Sequence, residues 1–225
     1  MKALILAAGY GERLRPLTLR TPKPLLQVGD VSLIERHITN LVSAGVHTIV
    51  VNVSWLGDQI AEFLGDGSRW NASIRLSREG DTPLETGGGM RHALPLLGPE
   101  PFLVVNGDVV CDFPFQTLTG LHPTDCHLVL VDNPEHNPGG DFGLSDQRLT
   151  NERHWTYAGI GVFHPCMVSG ASKPAAFSVV PAIRSAADAG RATGEHFPGR
   201  WLDIGTEGRL EHARKVFSQD APCTP

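Results

Sequence analysis

Lys2–Leu26 reads KALILAAGYGERLRPLTLRTPKPLL. Its first part, Lys2 to Ala7, is a short apolar run bounded by Gly9 and Gly11. Such a run suits a strand buried on both faces, as in a parallel sheet. The glycines permit backbone angles and close approaches that a Cβ blocks. Successive N–H groups of such a turn can cradle phosphate oxygens. Two common nucleotide patterns fail here. The dinucleotide pattern GxGxxG needs a third glycine where Leu14 stands, and a helix opening there meets Pro16. The P-loop needs a terminal GK[ST], which nothing supplies. Arg13, Arg15 and Arg20 bring cations to the same loop, and Lys23 sits between Pro22 and Pro24. Two prolines fix the backbone around that lysine, which is then suited to hold a phosphate at a defined place. Taken alone, the glycine pair also fits a tight turn without ligand, and the lysine a solvated side chain.

Outward from this stretch, strand and helix patterns alternate. Ser32 and Glu35 have the spacing of a capping box. Leu33, Ile34, His37, Ile38, Leu41 and Val42 recur at helical spacing, and Gly45 ends the run. Thr48–Val53 reads as strand, Leu56–Leu64 as helix, Ser73–Leu76 as strand, Gly89–Leu97 as helix and Phe102–Val105 as strand. That alternation predicts an α/β fold, a mixed, mostly parallel sheet flanked by helices, with right-handed crossovers. The later half is less regular. His127–Val131 and Tyr157–Phe163 read as strands, Val179–Ala189 as a helix stopped by Gly190, and Trp201–Ile204 leads into a last helix, Glu207–Phe217. No repeat or linker divides the chain, so one domain is expected over residues 1–218, with a tail over 219–225. In open α/β sheets ligands bind at the carboxyl ends of the strands. The polar or Gly-rich segments GYGERLRPLT, NGDVV and 79–89 fall there.

Composition narrows the classes. Lys+Arg is 19 against 24 Asp+Glu, a net charge of −5 without basic blocks. Nucleic acid and anionic membranes are therefore poor partners. No apolar run reaches the ~18–20 residues of a membrane span. The opening apolar stretch is at the short limit for a secretory signal and runs at once into GERLRPLT, so no signal is expected. Cys111, Cys126, Cys166 and Cys223 show no CxxC spacing, and reduced thiols in a cytosol are the simpler reading. The ten histidines offer no HExxH or similar spacing and read as surface or core residues.

Lys2–Leu26 resembles the signature of the sugar-1-phosphate nucleotidyltransferases, approximately GxGxRLxPLTxxxPKPLL. The resemblance continues through NGD at Asn106–Asp108, FG at Phe142-Gly143 and WLDIGT at Trp201–Thr206, and so spans most of the chain. It implies a single Rossmann-like domain in which a sugar-1-phosphate oxygen attacks the α-phosphorus of a nucleoside triphosphate and pyrophosphate leaves. The nucleophile is already an anion, so alignment and charge stabilisation should carry the reaction. Arg13 and Lys23 become catalytic candidates, Lys23 at the α-phosphate and Arg13 at the departing pyrophosphate. Nucleotide contacts are expected from Ala8, Gly9, Gly11, Glu12, Arg13, Lys23, Glu79, Gly88 and Asn106.

Asp108 follows an apolar strand and a glycine, and Asp203 lies between apolar neighbours. Singly, each also fits a turn or cap. A triphosphate beside an acidic protein needs a metal to offset the repulsion, and Mg²⁺ commonly takes one or two carboxylates plus substrate phosphates. The resemblance assigns Asp108 and Asp203 as ligands of Mg²⁺. The two must then meet in the fold.

Base and sugar are less legible. Glu79 stands where pyrimidine-using relatives commonly place Gln. As an acceptor it can meet N3–H of uracil or two N–H groups of guanine. The resemblance favours UTP as donor and N-acetylmuramic acid α-1-phosphate as acceptor, in the recycling of cell-wall sugar. Gly87–Gly89 would let a base lie against the backbone. Many relatives carry Glu-Lys-Pro after FG, with the lysine on the sugar phosphate. Here the segment reads FGLSDQRLTNERHWTY, which leaves that contact unassigned. Asp141, Gly143 and Glu152 are the candidates for sugar contacts. A cytosolic monomer is expected. The alternatives are a mannose-1-phosphate guanylyltransferase, another hexose-1-phosphate nucleotidyltransferase, a catalytically silent nucleotide sensor and a dinucleotide-dependent oxidoreductase.

Overall fold

The computed structural model describes residues 1–170 and 176–217, so Cys223 and the tail expected over 219–225 lie outside the described residues. Strand β1 (Lys2–Leu6) is followed by single helical turns as far as Leu25. A small hairpin, β2 (Gln27–Val28) and β3 (Val31–Ser32), leads into helix α1 (Leu33–Ser43). The Ser32 hydroxyl accepts from the Glu35 amide at 3.3 Å, the cap that the spacing predicts. Gly45 ends the helix at φ +82°, where the Gly45 and Val46 amides close onto the Val42 and Leu41 carbonyls, each at 2.9 Å.

The chain continues through β4 (Thr48–Val53), α2 (Gly57–Leu64), β5 (Ser73–Arg78), α3 (Glu85–Leu97), β6 (Phe102–Asn106), β7 (Val109–Cys111) and β8 (Cys126–Val131). Then come β9 (Phe142–Ser145), β10 (Arg148–Phe163), α4 (Cys166–Ser169), α5 (Val180–Asp188), β11 (Ala192–His196), β12 (Trp201–Asp203) and α6 (Glu207–Phe217). The main sheet is mixed and mostly parallel, in the order β11-β8-β10-β6-β1-β4-β5, with β9 added on β10. Strands β6, β1, β4 and β5 run parallel, while β10 is antiparallel to its neighbours.

Successive side chains of a strand point to opposite faces, and both faces of β1 are covered. Ala3 and Ile5 pack with Ile34, Ile38 and Leu41 of α1. Leu4 packs with Met90 and Ala93 of α3. A third cluster joins Leu14, Val28 and Leu33 to Leu210, Ala213 and Phe217, fixing α6 beside the first loop. The thiols of Cys111, Cys126 and Cys166 are free, and burial pushes those of Cys111 and Cys126 up to about 12, so both stay protonated at neutral pH. Among the described residues, no helix is long and apolar enough to cross a membrane.

Three expectations need correction. The helix expected from Gly89 begins at Glu85, so Gly87–Gly89 are helical and not loop. The Ser73–Leu76 strand runs on to Arg78 because β4 continues beside it as far as Val53. The strand expected from Tyr157 begins at Arg148, because β9 and β10 form a hairpin over Asp146-Gln147, both at positive φ without glycine.

Candidate active site

The carboxyl ends of β1 and β6 lie side by side, with Leu6 in register with Asn106. A cleft of about 560 Å³ opens there, lined by the turn at 9–14, by Lys23, and by Asn106, Gly107, Asp108 and Gly205. Gly11 stands at φ +66°, and a Cβ on it would meet Thr18 Cγ2 at 2.8 Å, so the chain itself requires this glycine. The Thr18 hydroxyl donates to its carbonyl at 2.8 Å. Tyr10 packs edge-on against Trp55, whose indole N–H donates to the Thr18 carbonyl at 2.9 Å, so the turn is pinned on its outer side.

Gly9 differs. A Cβ there meets no atom of the chain within 4 Å. It would instead project at the cleft, which Gly9 lines. Gly9→Ala should therefore leave the melting temperature nearly unchanged and raise KM for the triphosphate about tenfold, the scale of one blocked close contact. Unchanged kinetics would show that nothing approaches this backbone closely.

Lys23 opens a short turn between its two prolines, and its Nζ lies 2.5 Å from Asp108 Oδ2. Asp108 sits on the turn from β6 to β7. Gly107 carries that turn against β1, where a Cβ would come within 2.7 Å of the Leu6 carbonyl oxygen. Asp203 ends β12, which pairs antiparallel with β7 and places Asp203 opposite Val109. The Ile204 amide donates to the Asp108 carbonyl at 2.7 Å. The two aspartates, far apart in sequence, are thus neighbours across a two-stranded ladder. Arg209 Nη1 lies 2.7 Å from Asp203 Oδ1 and 2.6 Å from Oδ2, and His136 Nε2 lies 3.1 Å from Oδ1.

Hard oxygen donors of this kind suit Mg²⁺, for which one or two carboxylates and phosphate oxygens suffice. Among the described residues no group of three or more His, Cys, Asp or Glu gathers as a metal cage, so what the site offers such an ion is the donor chemistry of two carboxylates.

His37 of α1 is buried beneath the turn that carries Asp108. Burial pushes its imidazole down from 6.5 to about 4, against the opposing pull of the Asp108 carboxylate. Between those values the unfolded chain binds a proton that the folded chain refuses, so stability falls as pH drops from about 6.5 and the loss is complete near 4. Lowering pH from 7 to 5 should cost about 2 kcal/mol through this group. Urea unfolding at both pH values checks this. The expected loss should vanish in His37→Leu, and an identical pH slope in that variant would contradict it.

A smaller recess of about 160 Å³, lined by Asn52, Glu79, Pro83 and Thr86, shares Leu6, Gly9 and Thr86 with the cleft. Glu79 lines it, but both of its oxygens are engaged. Oε1 accepts from Asn52 Nδ2 and Oε2 from the Leu84 amide, each at 2.7 Å. Asn52 Oδ1 in turn accepts from the Ala7 amide at 2.6 Å. One amide and one carboxylate therefore tie the ends of β1, β4 and β5 to the start of α3.

The glycines of α3 answer to the same close packing. A Cβ on Gly87 would strike the Phe177 ring at 2.4 Å, and one on Gly89 would meet Glu79 Oε1 at 2.6 Å. The Gly88 amide donates to the Phe177 carbonyl at 3.1 Å. Gly88 lines neither the cleft nor the recess. Close packing within the fold thus accounts for Gly87 and Gly89.

Asp141, Gly143 and Glu152 lie on and beside the β9–β10 hairpin, and none lines the cleft. Asp141 Oδ2 accepts from the Tyr157 amide at 2.9 Å, and a Cβ on Gly143 would meet Thr150 Oγ1 at 2.7 Å. Of the nucleotide candidates, Gly9, Gly11, Glu12, Arg13, Lys23 and Asn106 line the cleft, and Ala8 lines the recess. Sequence reasoning missed Asn52, Thr86, His136 and Arg209. Only Arg209 had a signal: Thr206 precedes a helical run, and Arg209 stands at the third position after that cap. His136 sits in the irregular segment DNPEHNPGGD, where no pattern marks it.

The nucleotidyl transferase family model matches residues 2–154. An N-acetylmuramate alpha-1-phosphate uridylyltransferase of Neisseria meningitidis serogroup B is 46% identical over 226 aligned residues, covering 96% of this chain and 98% of that protein. A mannose-1-phosphate guanyltransferase of Hypocrea jecorina is 42% identical over 125 residues, 54% of this chain and 34% of its own length. Among solved structures, a Bacillus anthracis chain described as a glucose-1-phosphate thymidylyltransferase superposes with TM-score 0.86 at 18% identity, covering 98% of this chain and 96% of its own. HddC from Yersinia pseudotuberculosis superposes with TM-score 0.76 at 21% identity, covering 96% and 99%. At such identities the solved structures speak to the fold alone.

Proposed function

The chain belongs to the nucleotidyl transferase family, and on that basis we propose that it transfers a uridylyl group from UTP to N-acetylmuramic acid α-1-phosphate. A phosphate oxygen of the sugar attacks the α-phosphorus. The bond from that phosphorus to the bridging oxygen of the β-phosphate breaks, and pyrophosphate leaves with the bonding electron pair. UDP-N-acetylmuramic acid is the other product. What supports this reading most is the β7–β12 pairing, which sets Asp203 opposite Val109 and so brings its backbone next to Asp108, a residue that lines the cleft with Lys23 and the glycine turn.

In this reading the turn at Ala8–Arg13 receives the triphosphate, with Arg13 on the β- and γ-phosphates. Asn106 borders the same cleft at the end of β6, as a further contact for the nucleotide. Lys23 holds the α-phosphate and stabilises the charge that builds there. Asp108 and Asp203 would hold a Mg²⁺ ion, which when bound neutralises phosphate charge. Glu79 acts by bracing the recess in which the base lies, and the base edge is left to backbone groups. The transferase unit takes in α6, a reading supported by Phe217, which packs against the first loop. The enzyme works in the cytosol as a monomer, in the reuse of cell-wall sugar.

A matrix of four triphosphates against several sugar-1-phosphates, with Mg²⁺ and pyrophosphate detection, tests the reading. UTP with N-acetylmuramic acid α-1-phosphate should be the most productive pair. Turnover only with GTP and mannose 1-phosphate would replace it with a guanylyltransferase, and no turnover with any pair would leave a nucleotide sensor.

A further inference from the structure

Resting on this reading, we propose that Arg209 is the residue that receives the phosphate of the incoming sugar-1-phosphate, and that its pairing with Asp203 couples acceptor binding to metal binding. The first ground is position. A Cβ on cleft-lining Gly205 would lie 1.7 Å from Arg209 Nη2 and 3.1 Å from Arg13 Nη2. Two guanidinium groups therefore converge over one α-carbon in the cleft wall. Nη1 of Arg209 faces Asp203, while Nη2 lies against Gly205, a residue of the cleft wall. A guanidinium presents a planar fork of donors that matches a phosphate.

The second ground is charge. The acceptor brings a dianion to a cleft whose lining cations, Arg13 and Lys23, serve the triphosphate, and Arg209 stands just behind its Gly205 wall. The arginines of the β9–β10 hairpin are placed elsewhere: Arg153 Nε donates to the Gly140 carbonyl at 2.9 Å, and Arg148 lies beside Gly190. Arg209 comes from α6 and its side chain is 19% exposed, so it is reachable without opening the fold.

The third ground is competition for one carboxylate. Asp203 already has Arg209 and His136 as partners, and Arg209 Nη1 also lies 2.7 Å from His136 Nε2. A divalent ion on Asp203 shares that carboxylate with Arg209, and like charges repel at such range. Metal on Asp203 therefore weakens the hold on Arg209 and turns its fork to an anion.

The test uses the intact protein and its Arg209→Ala and Arg209→Lys variants. Electron paramagnetic resonance of Mn²⁺ titrated into protein without substrates reads the competition. Arg209→Ala should bind Mn²⁺ about five- to tenfold tighter, the effect of removing one nearby positive charge in a partly exposed site. Steady-state kinetics read the phosphate contact. KM for the acceptor should rise on the order of 10–100-fold in Arg209→Ala, with KM for UTP within about twofold, and Arg209→Lys should recover part of the loss.

Equal Mn²⁺ affinity together with an unchanged acceptor KM overturns the proposal. So does a rise confined to the UTP KM, which would put Arg209 on the triphosphate. If another sugar phosphate proves to be the acceptor, the proposed function falls while the same KM comparison, made with that acceptor, still judges Arg209. Melting curves control for folding, and Arg209→Lys replaces Arg209→Ala if the latter fails to fold.

Discussion

Lys23→Ala is expected to fold normally and to lose turnover by about 10²–10³-fold, the scale for removing one preorganised charge donor. The lysine is held by Pro22 and Pro24, and its Nζ is already aimed, lying 2.5 Å from Asp108 Oδ2. Its side chain is 13% exposed, so little solvent competes for the charge. A donor whose backbone is already fixed needs only to turn its amine from Asp108 to the phosphate, and a charge contact that strengthens as the transition state forms should appear in kcat more than in KM. The fold should survive because Asp108, left without its partner, is 33% exposed and can be hydrated. Pyrophosphate release at saturating substrates measures the loss, with a melting curve as control. Turnover near that of the parent would remove Lys23 from the chemistry.

Asp108→Asn and Asp203→Asn should each reduce kcat/KM on the order of 10³-fold or more, since a metal contributes several kcal/mol of charge stabilisation. The larger expectation concerns the pair. If both carboxylates serve one ion, the first substitution removes most of what the ion supplies, and the double variant should be little worse than either single one. Losses that multiply would mean two independent roles. Asp203 offers a further contrast. Its partners, Arg209 and His136, are left facing an amide after substitution, so Asp203→Asn should also weaken the tether between β12, α6 and the segment at His136.

Local chemistry made the first half of the fold legible. Ser32, Glu35 and Gly45 bound α1 through bonds that span a few residues, and Thr48–Val53 matches its strand because β-branched residues fill a position buried on both faces. Where contacts distant in sequence decide, the pattern fails. Three consecutive glycines argue against a helix at Gly87–Gly89, yet the Phe177 carbonyl takes the Gly87 and Gly88 amides and the Phe177 ring occupies the space a side chain would need. Strand β11, ATGEH, has little intrinsic strand preference and exists because β8 pairs with it along its length. Strand β7 lies within NGDVV, where the turn signal is local and the pairing with β12 is not.

The site divides in the same way. Gly11, Lys23 and Asp108 stand in short, recognisable segments. The pairing of Glu79 with Asn52 and of Asp203 with Arg209 and His136 depends on three-dimensional neighbours. Glu79 is the instructive case. Its residue type suggested a base contact, but its oxygens brace the recess instead. A side chain's chemistry limits what it can do, and only its neighbours decide which of those things it does.

The most direct measurement is the stoichiometry of Mn²⁺ binding in the presence of a non-hydrolysable UTP analogue, made on the parent protein, Asp108→Asn and Asp203→Asn. One ion per chain is expected in the parent, with its affinity lowered at least about tenfold in both variants alike. Parent-like binding in either variant, or two ions lost one at a time, would show that the carboxylates do not share a cation and would contradict the convergence on which the proposed chemistry rests.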